Sequence, residues 1–255
     1  MSADANCQGN ATAADFDNGS FDPDGDEISF SVSPAGPYPL GRTPVTLTVT
    51  DSKGAFAIAT AEVVVEDKTA PVITVPADIM VDNDANACGA VVNFNPTVAD
   101  NCSGGTTLII SPAPNTFFPV GTTTVTVDAT DEAGNAAAQQ SFTVTVLDAE
   151  APVTPVLADA TGECSVTVDA PTTTDNCVGT ITGTTTDPTE YTAQGTYQIN
   201  WTFDDGNGNS TSAIQNVIVK DVTAPVITLI TPTPTAELGL TNTVTLLATE
   251  IFAAT

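Results

Sequence analysis

A phrase that returns three times constrains the fold of this chain more than any other feature. Asp67-Lys68-Thr69-Ala70-Pro71, Asp148-Ala149-Glu150-Ala151-Pro152 and Asp221-Val222-Thr223-Ala224-Pro225 each close a strand-like run: Ala61-Glu62-Val63-Val64-Val65, Phe142-Thr143-Val144-Thr145-Val146 and Asn216-Val217-Ile218-Val219. Two further phrases keep their order within every period. Gly41-Arg42-Thr43-Pro44-Val45, Gly121-Thr122-Thr123-Thr124-Val125 and Gly195-Thr196-Tyr197-Gln198-Ile199 each open a turn and a strand. An acidic, glycine-bearing turn then follows: Asp51-Ser52-Lys53-Gly54, Asp131-Glu132-Ala133-Gly134-Asn135 and Asp204-Asp205-Gly206-Asn207-Gly208-Asn209. Self-similarity of this kind marks a tandem array of small units.

Inside each period, short alternating runs are separated by Gly, Pro, Asn and Asp turns, the pattern of an all-β sandwich, and no stretch has helical periodicity. The expected fold is therefore all-β: tandem immunoglobulin-like β-sandwich repeats in a linear array. The boundaries fall at 1–67, 68–148 and 149–221, with 222–255 opening a further repeat. Apolar residues make up 41% but aromatics only 5%, which suits several small cores of Val, Ile, Leu and Ala. The start, Met1-Ser2-Ala3-Asp4, lacks the basic and apolar regions of a signal peptide, and both ends read as cuts through a longer chain.

Charge narrows the partners. Four Lys and Arg stand against 31 Asp and Glu, a formal net charge of -27. Phosphate contacts need cationic side chains, so nucleic acid is not an expected partner, and an anionic membrane surface repels such a chain. No run approaches the ~18 apolar residues of a membrane span, so no membrane insertion is expected. Negative charge at this density resists compaction unless it is screened, by bound divalent cations, by a high-salt habitat or simply by solvation.

The Gly-Thr-Thr-Thr-Val-Thr-Val run at 121–127, the Asp-Glu-Ala-Gly-Asn turn at 131–135 and the Asp-x-x-Ala-Pro linkers resemble the HYR (hyalin repeat) family and related bacterial immunoglobulin-like repeats. The match covers nearly all of 68–148 and 149–221 but mainly the second half of 1–67, where Asp22-Pro23-Asp24-Gly25-Asp26 stands in place of Asp-Asn-Cys. The Asp-Asn-Cys phrases at 100–102 and 175–177 are similar to those of Bacteroidota surface adhesins. That likeness implies gliding or attachment proteins exported by the type IX system, in which such repeats belong to large secreted or surface-anchored chains.

Strand order gathers the scattered acids. In an immunoglobulin-like sandwich the incoming linker, the loop between the second and third strands and the loop before the last strand share one end. For 68–148 the strands are expected at about 72–82, 89–94, 106–111, 122–130 and 136–147. Asp67, Asp100, Asn101, Asp131 and Asn135 then converge. Asp148, Glu150, Asp175, Asn176, Asp204, Asp205 and Asn207 repeat the set one unit later, and Asp22, Asp24, Asp26 and Asp51 are the nearest counterparts in 1–67. Clustered carboxylates repel unless a cation sits among them, and a set of Asp, Asn and carbonyl oxygens suits Ca²⁺. The chain has no His, which disfavours transition metals. The competing reading is that Asp, Asn and Gly simply make good turns.

Five cysteines, Cys7, Cys88, Cys102, Cys164 and Cys177, without a C-x-x-C spacing point to disulfides in an oxidising exterior. Proximity in sequence pairs Cys88 with Cys102 and Cys164 with Cys177. Topology offers another answer, because Cys7, Cys88 and Cys164 precede the second strand of their units while Cys102 and Cys177 follow it. A strand of about six residues spans roughly 20 Å, too far for bonded cysteines. Stacked units would instead join Cys7 to Cys102 and Cys88 to Cys177, leaving Cys164 for a following repeat. Both schemes stay open on sequence alone.

Catalytic constellations are hard to assemble. Without His the usual nucleophile triads are gone. One Trp and three Tyr give little material for a sugar cleft around a carboxylate pair, and Trp201 reads as core. The chain is read as non-enzymatic. The expected function is that of spacer repeats in an extracellular adhesin, rigidified by Ca²⁺ where repeats meet. Its partners would be neighbouring repeats, with host or surface polysaccharide or protein contacted outside these residues. The alternative is a filament subunit or a repeat that itself binds polysaccharide or protein.

Overall fold

A computed structural model describes residues 1–102 and 104–228. Most of the further repeat expected over 222–255 lies outside the described residues, and 222–228 carry no strand. The chain divides into two compact units, Met1–Glu150 and Ala151–Thr255.

The strand Gly121–Asp131 shows how the sequence builds the first unit. Val125, Val127 and Ala129 are buried, while Thr126, Asp128 and Thr130 between them face outward, the two-residue period of a half-buried strand. It pairs antiparallel with Thr106–Ser111 on one side and Gln140–Leu147 on the other. Ile79–Asp82 then adds in parallel beyond Gln140–Leu147, with Val81 opposite Val146. The facing layer consists of Gly89–Val92 with Thr116–Pro119 and Val72–Thr74 with Thr97–Ala99. Val92, Phe118, Val125 and Val144 meet between the layers. Phe94 lies edge-on to Phe118 and Phe142, with centroids 6.0 and 5.0 Å away, a favoured aromatic geometry. This is an immunoglobulin-like β-sandwich.

The structure differs from the expected strands in that Thr116–Pro119 is an additional strand, the last strand begins at Gln140 rather than 136, and two prolines break strands. The strand expected over 72–82 is two, one in each layer, because Pro76 between them has no N–H to continue a ladder. The second strand likewise breaks after Val92 and resumes over Thr97–Ala99, beyond Pro96.

A second core occupies residues 1–65. Gly41–Asp51 pairs with Ile28–Ser33 and Phe56–Val65, and Tyr38, Val45, Val63 and Val65 are buried against them. The facing layer is only Gln8–Gly9 with Tyr38–Pro39. Ala57, Ala59 and Ala61, which share a face with Val49, Leu47 and Val45, are consequently exposed.

In the second unit Gly195–Asp204 and Ser210–Val219 form the long hairpin, and Ala160–Gly162 lies parallel beside Ser210–Val219. Val166–Thr167 pairs with Glu190–Tyr191, and Thr172–Asp175 with Gly179–Thr182. Ile199, Trp201, Phe203, Val217 and Val219 form the core. Trp201 is buried as expected, and its indole N–H donates to Gln215 Oε1 at 3.0 Å. No described helix is long and apolar enough to cross a membrane.

Candidate metal centre

The register that buries the core also buries a carboxylate. Val125, Val127 and Ala129 point inward, and Asp131 is the next residue in phase, only 7% exposed. Ile199, Trp201 and Phe203 lead in the same way to Asp205, 6% exposed. Val45, Leu47 and Val49 lead to Asp51, which is half-buried.

One turn recurs after all three. The Asp131 N–H donates to Asn135 O, and Asn135 N–H donates back to Asp131 Oδ1. Asp205 and Asn209 exchange the same bonds, as do Asp51 and Ala55. The turn needs a left-handed residue before its last position, supplied by Gly54, Gly134 and Gly208 at φ of 93°, 93° and 108°. The Asn side chains add a bond to the second carboxylate oxygen, from Asn135 Nδ2 to Asp131 and from Asn209 Nδ2 to Asp205. Burial pushes the Asp131 carboxyl up, but the Asn135 side chain and the N–H groups of Asn135, Gly134 and Ala133 outweigh it and hold the pKa below the ordinary value. Asp205 is held down in the same way, burial being outweighed by Asn209, Asn207 and Gly208.

Within the first unit, Asp131 meets two other carboxylates. One oxygen each from Asp67, Asp100 and Asp131 lie within 4.8 Å of one another. Asp67 comes from the linker, where its Oδ1 accepts from Thr69 N–H and its carbonyl accepts from Asn135 Nδ2. Asp100 comes from the loop after Thr97–Ala99. Its Oδ2 accepts from Cys102 N–H at 2.8 Å, while its Oδ1 is buried with no hydrogen-bond donor. Asn101 donates through Nδ2 to Asp4 O, and its Oδ1 is also buried and unpaired. A cavity of about 410 Å³ opens beside the cluster, lined by Asp67 and Asp131 and by Glu132, which the sequence reading did not single out.

Two orphaned acceptors beside three carboxylates make a costly arrangement in the absence of a positive charge. The donor set is oxygen only. Oxygens sharing a hard divalent ion at 2.3–2.6 Å lie no more than about 5 Å apart, which this cluster satisfies. The acids of 1–67 behave differently. Asp22 Oδ1 accepts from Asp24 N–H, Asp51 Oδ1 from Lys53 and Ala55 N–H, and Asp26 pairs with the Lys53 ammonium at 2.9 Å. There a side chain already supplies the countercharge.

The second predicted set is divided between the units. Asp148 is buried, its Oδ1 accepting from Glu150 N–H, and Glu150 Oε2 accepts from Asn86 N–H and Asn83 Nδ2. In the second unit Asp175 is 8% exposed. Its Oδ1 accepts from Cys177 and Val178 N–H, and its Oδ2 is buried without a donor. Asn176, Asp204 and Asn207 are exposed. The residue in the place of Asn135 is Asn209, not Asn207. The separation from the in-phase Asp, four residues in both turns, is the signal that would have found it.

Cys7 is bonded to Cys102, with Cα atoms 5.0 Å apart. Cys102 is therefore not available to Cys88, and Cys164 is an exposed free thiol. Neither pair close in sequence forms: the loop holding Cys102 reaches toward residues 4–7 rather than folding back along its own strand, and Cys164 is free. Disulfides persist in oxidising surroundings, and the chain is extracellular.

Comparison with known proteins adds a family for part of the chain. Residues 66–146 match the HYR domain family. Hyalin of Strongylocentrotus purpuratus is 33% identical over 80% of this chain and 18% of that protein. Hyalin of Lytechinus variegatus is 34% identical over 83% of this chain and 44% of that protein. The chain thus spans less than half the length of these relatives. Among solved structures, a protocadherin gammaB7 EC3-6 cis-dimer is 14% identical, covering 82% of this chain and 70% of that chain at a TM-score of 0.37. The segment 66–146, which carries the three-carboxylate cluster together with its linker, is an HYR-like repeat.

Proposed function

We propose that this chain is a length of extracellular stalk, built of immunoglobulin-like repeats at 1–67, 68–148 and 149–221. Its role is to space and stiffen a cell-surface adhesion protein, with Ca²⁺ at the junction of the first two repeats. The observation that carries this is the meeting of Asp67, Asp100 and Asp131 beside the buried, unpaired Asp100 Oδ1 and Asn101 Oδ1. Asp67, Asp100 and Asp131 would hold the ion, which would supply positive charge and no chemistry beyond it. Asn135 orients Asp131 and also ties down the Asp67 carbonyl. A linker residue and two loops of the following sandwich are thereby fixed together, so the joint resists bending. Asp175 and Asp205, with Asn209, give the loops of the second unit the same composition, and the proposal extends to them. Assignment to gliding or attachment adhesins exported by the type IX system rests on the two Asp-Asn-Cys phrases alone.

Calorimetry in 10 mM CaCl₂ against EDTA tests the reading. At the affinities of extracellular Ca²⁺ modules, Tm is expected to rise by about 5 °C, and Asp100→Asn to remove most of the rise. Identical melting in Ca²⁺ and EDTA would overturn it.

A further inference from the structure

A second cavity, of about 490 Å³, lies wholly within the second unit and away from the acidic loops. Asp187, Glu190, Tyr191, Tyr197 and Gln198 line it, with Pro188, Thr192 and Ala193 completing the wall. Tyr191 is only 9% exposed, and its hydroxyl makes no hydrogen bond among the described residues. Its ring stacks on Tyr197 at a centroid distance of 4.6 Å and an interplanar angle of 29°. The Tyr197 hydroxyl is already engaged, donating to Ala193 O at 3.0 Å.

Two of the polar groups around this pair are fixed in advance and offer acceptors. Asp187 is held through Oδ2, which accepts from Asn200 N–H at 2.8 Å and Asn200 Nδ2 at 3.2 Å, leaving Oδ1 open. Gln198 donates its Nε2 to Asn216 Oδ1, which leaves its carbonyl as an acceptor. Glu190 is exposed at the rim. The cavity wall holds no Lys or Arg, and the second unit has only Lys220 in its sequence. Burial, with the Asp187 carboxylate and Tyr197 nearby, raises the Tyr191 pKa, so the hydroxyl keeps its proton.

We infer that this cavity binds a basic side chain, an arginine guanidinium above all, presented by an extended segment of a partner protein. Two carboxylates, a free amide carbonyl and two aromatic rings complement a planar group that has five donors and a delocalised positive charge. A neutral saccharide fits less well. It brings acceptors as well as donors to a wall that has little to donate, and the tyrosines spend one ring face on each other. The inference is independent of the metal cluster and would survive the failure of the Ca²⁺ reading.

The full chain with ¹³C-labelled tyrosine gives three ring signal sets, from Tyr38, Tyr191 and Tyr197. Titration with the peptide acetyl-Gly-Arg-Gly-amide should shift Tyr191 and Tyr197 saturably and leave Tyr38 in place. The Gln analogue should shift none. Asp187→Asn, which keeps the acceptor to Asn200, should weaken binding about fivefold. Tyr191→Phe, which keeps the ring, should weaken it about threefold. Equal shifts with the Gln peptide, shifts with a neutral oligosaccharide or CaCl₂ but not the Arg peptide, or unchanged affinity in both variants would each overturn the assignment.

Discussion

Removing the Cys7–Cys102 bridge should cost the first unit as much stability as emptying a large core position. The bonded residues are 95 apart in sequence, so the bridge closes a long loop in the unfolded chain. In the chain-entropy picture a loop of this size contributes about 4.7 kcal/mol at 25 °C. Residual structure in the unfolded state trims that figure, and about 3–5 kcal/mol is the expected loss. For a unit of this size each kcal/mol moves Tm by about 2–4 °C, giving a fall on the order of 10 °C. The variant to use is Cys7→Ser with Cys102→Ser, since reducing agent would act on other cysteines as well. Calorimetry and urea unfolding of the full chain, in EDTA to separate the bridge from any bound cation, supply the readout. A first-unit transition within about 1 °C of the parent would refute the loop-closure argument, and the bridge would then be a marker of compartment rather than a source of stability.

Other consequences are as direct. Phe118→Ala, at a side chain buried against Phe94, should cost about 3–5 kcal/mol in urea unfolding. Gly134→Ala places a Cβ on a left-handed residue and should cost about 1–2 kcal/mol by the same measurement. Acid should destabilise both units. Asp131 and Asp205 have folded pKa values below the ordinary 3.8, so their contribution is complete above that value and is lost as pH falls through it toward the folded pKa. Circular dichroism melts between pH 5 and about pH 2 would show the fall, and Asp205→Asn should flatten it. Cys164 should alkylate in the native protein while Cys7 and Cys102 do not, as peptide mapping after iodoacetamide would reveal.

Much of this was legible because strands announce themselves by parity. The run Gly121–Asp131 could be read as half-buried from its alternation, and its acid was placed near the linker by topology alone. The Cys7–Cys102 bond was legible as one of two schemes, since a strand separates Cys88 from Cys102. Other features were not readable. The split of 72–82 depends on Pro76 handing the chain from one layer to the other, where the flanking residues look equally strand-like. The equivalence of Asn209 to Asn135 is hidden because two adjacent acids, Asp204 and Asp205, leave the start of the turn ambiguous until the register is known. The Tyr191 cavity depends on Asp187, Gln198 and Asn216 meeting across separate loops and strands, which no local pattern encodes.

The in-phase placement of Asp131 behind Val125, Val127 and Ala129 ties two properties to a single count of residues. Inserting or deleting one residue ahead of Val125 in that strand would turn the valines to solvent and the carboxylate away from its neighbours in the same step. Drift in length at that point of the strand therefore cannot erase the acidic cluster and spare the sandwich. When such a unit is duplicated, the acidic turn is copied with the fold, so each copy carries a carboxylate already placed at the end of its long strand.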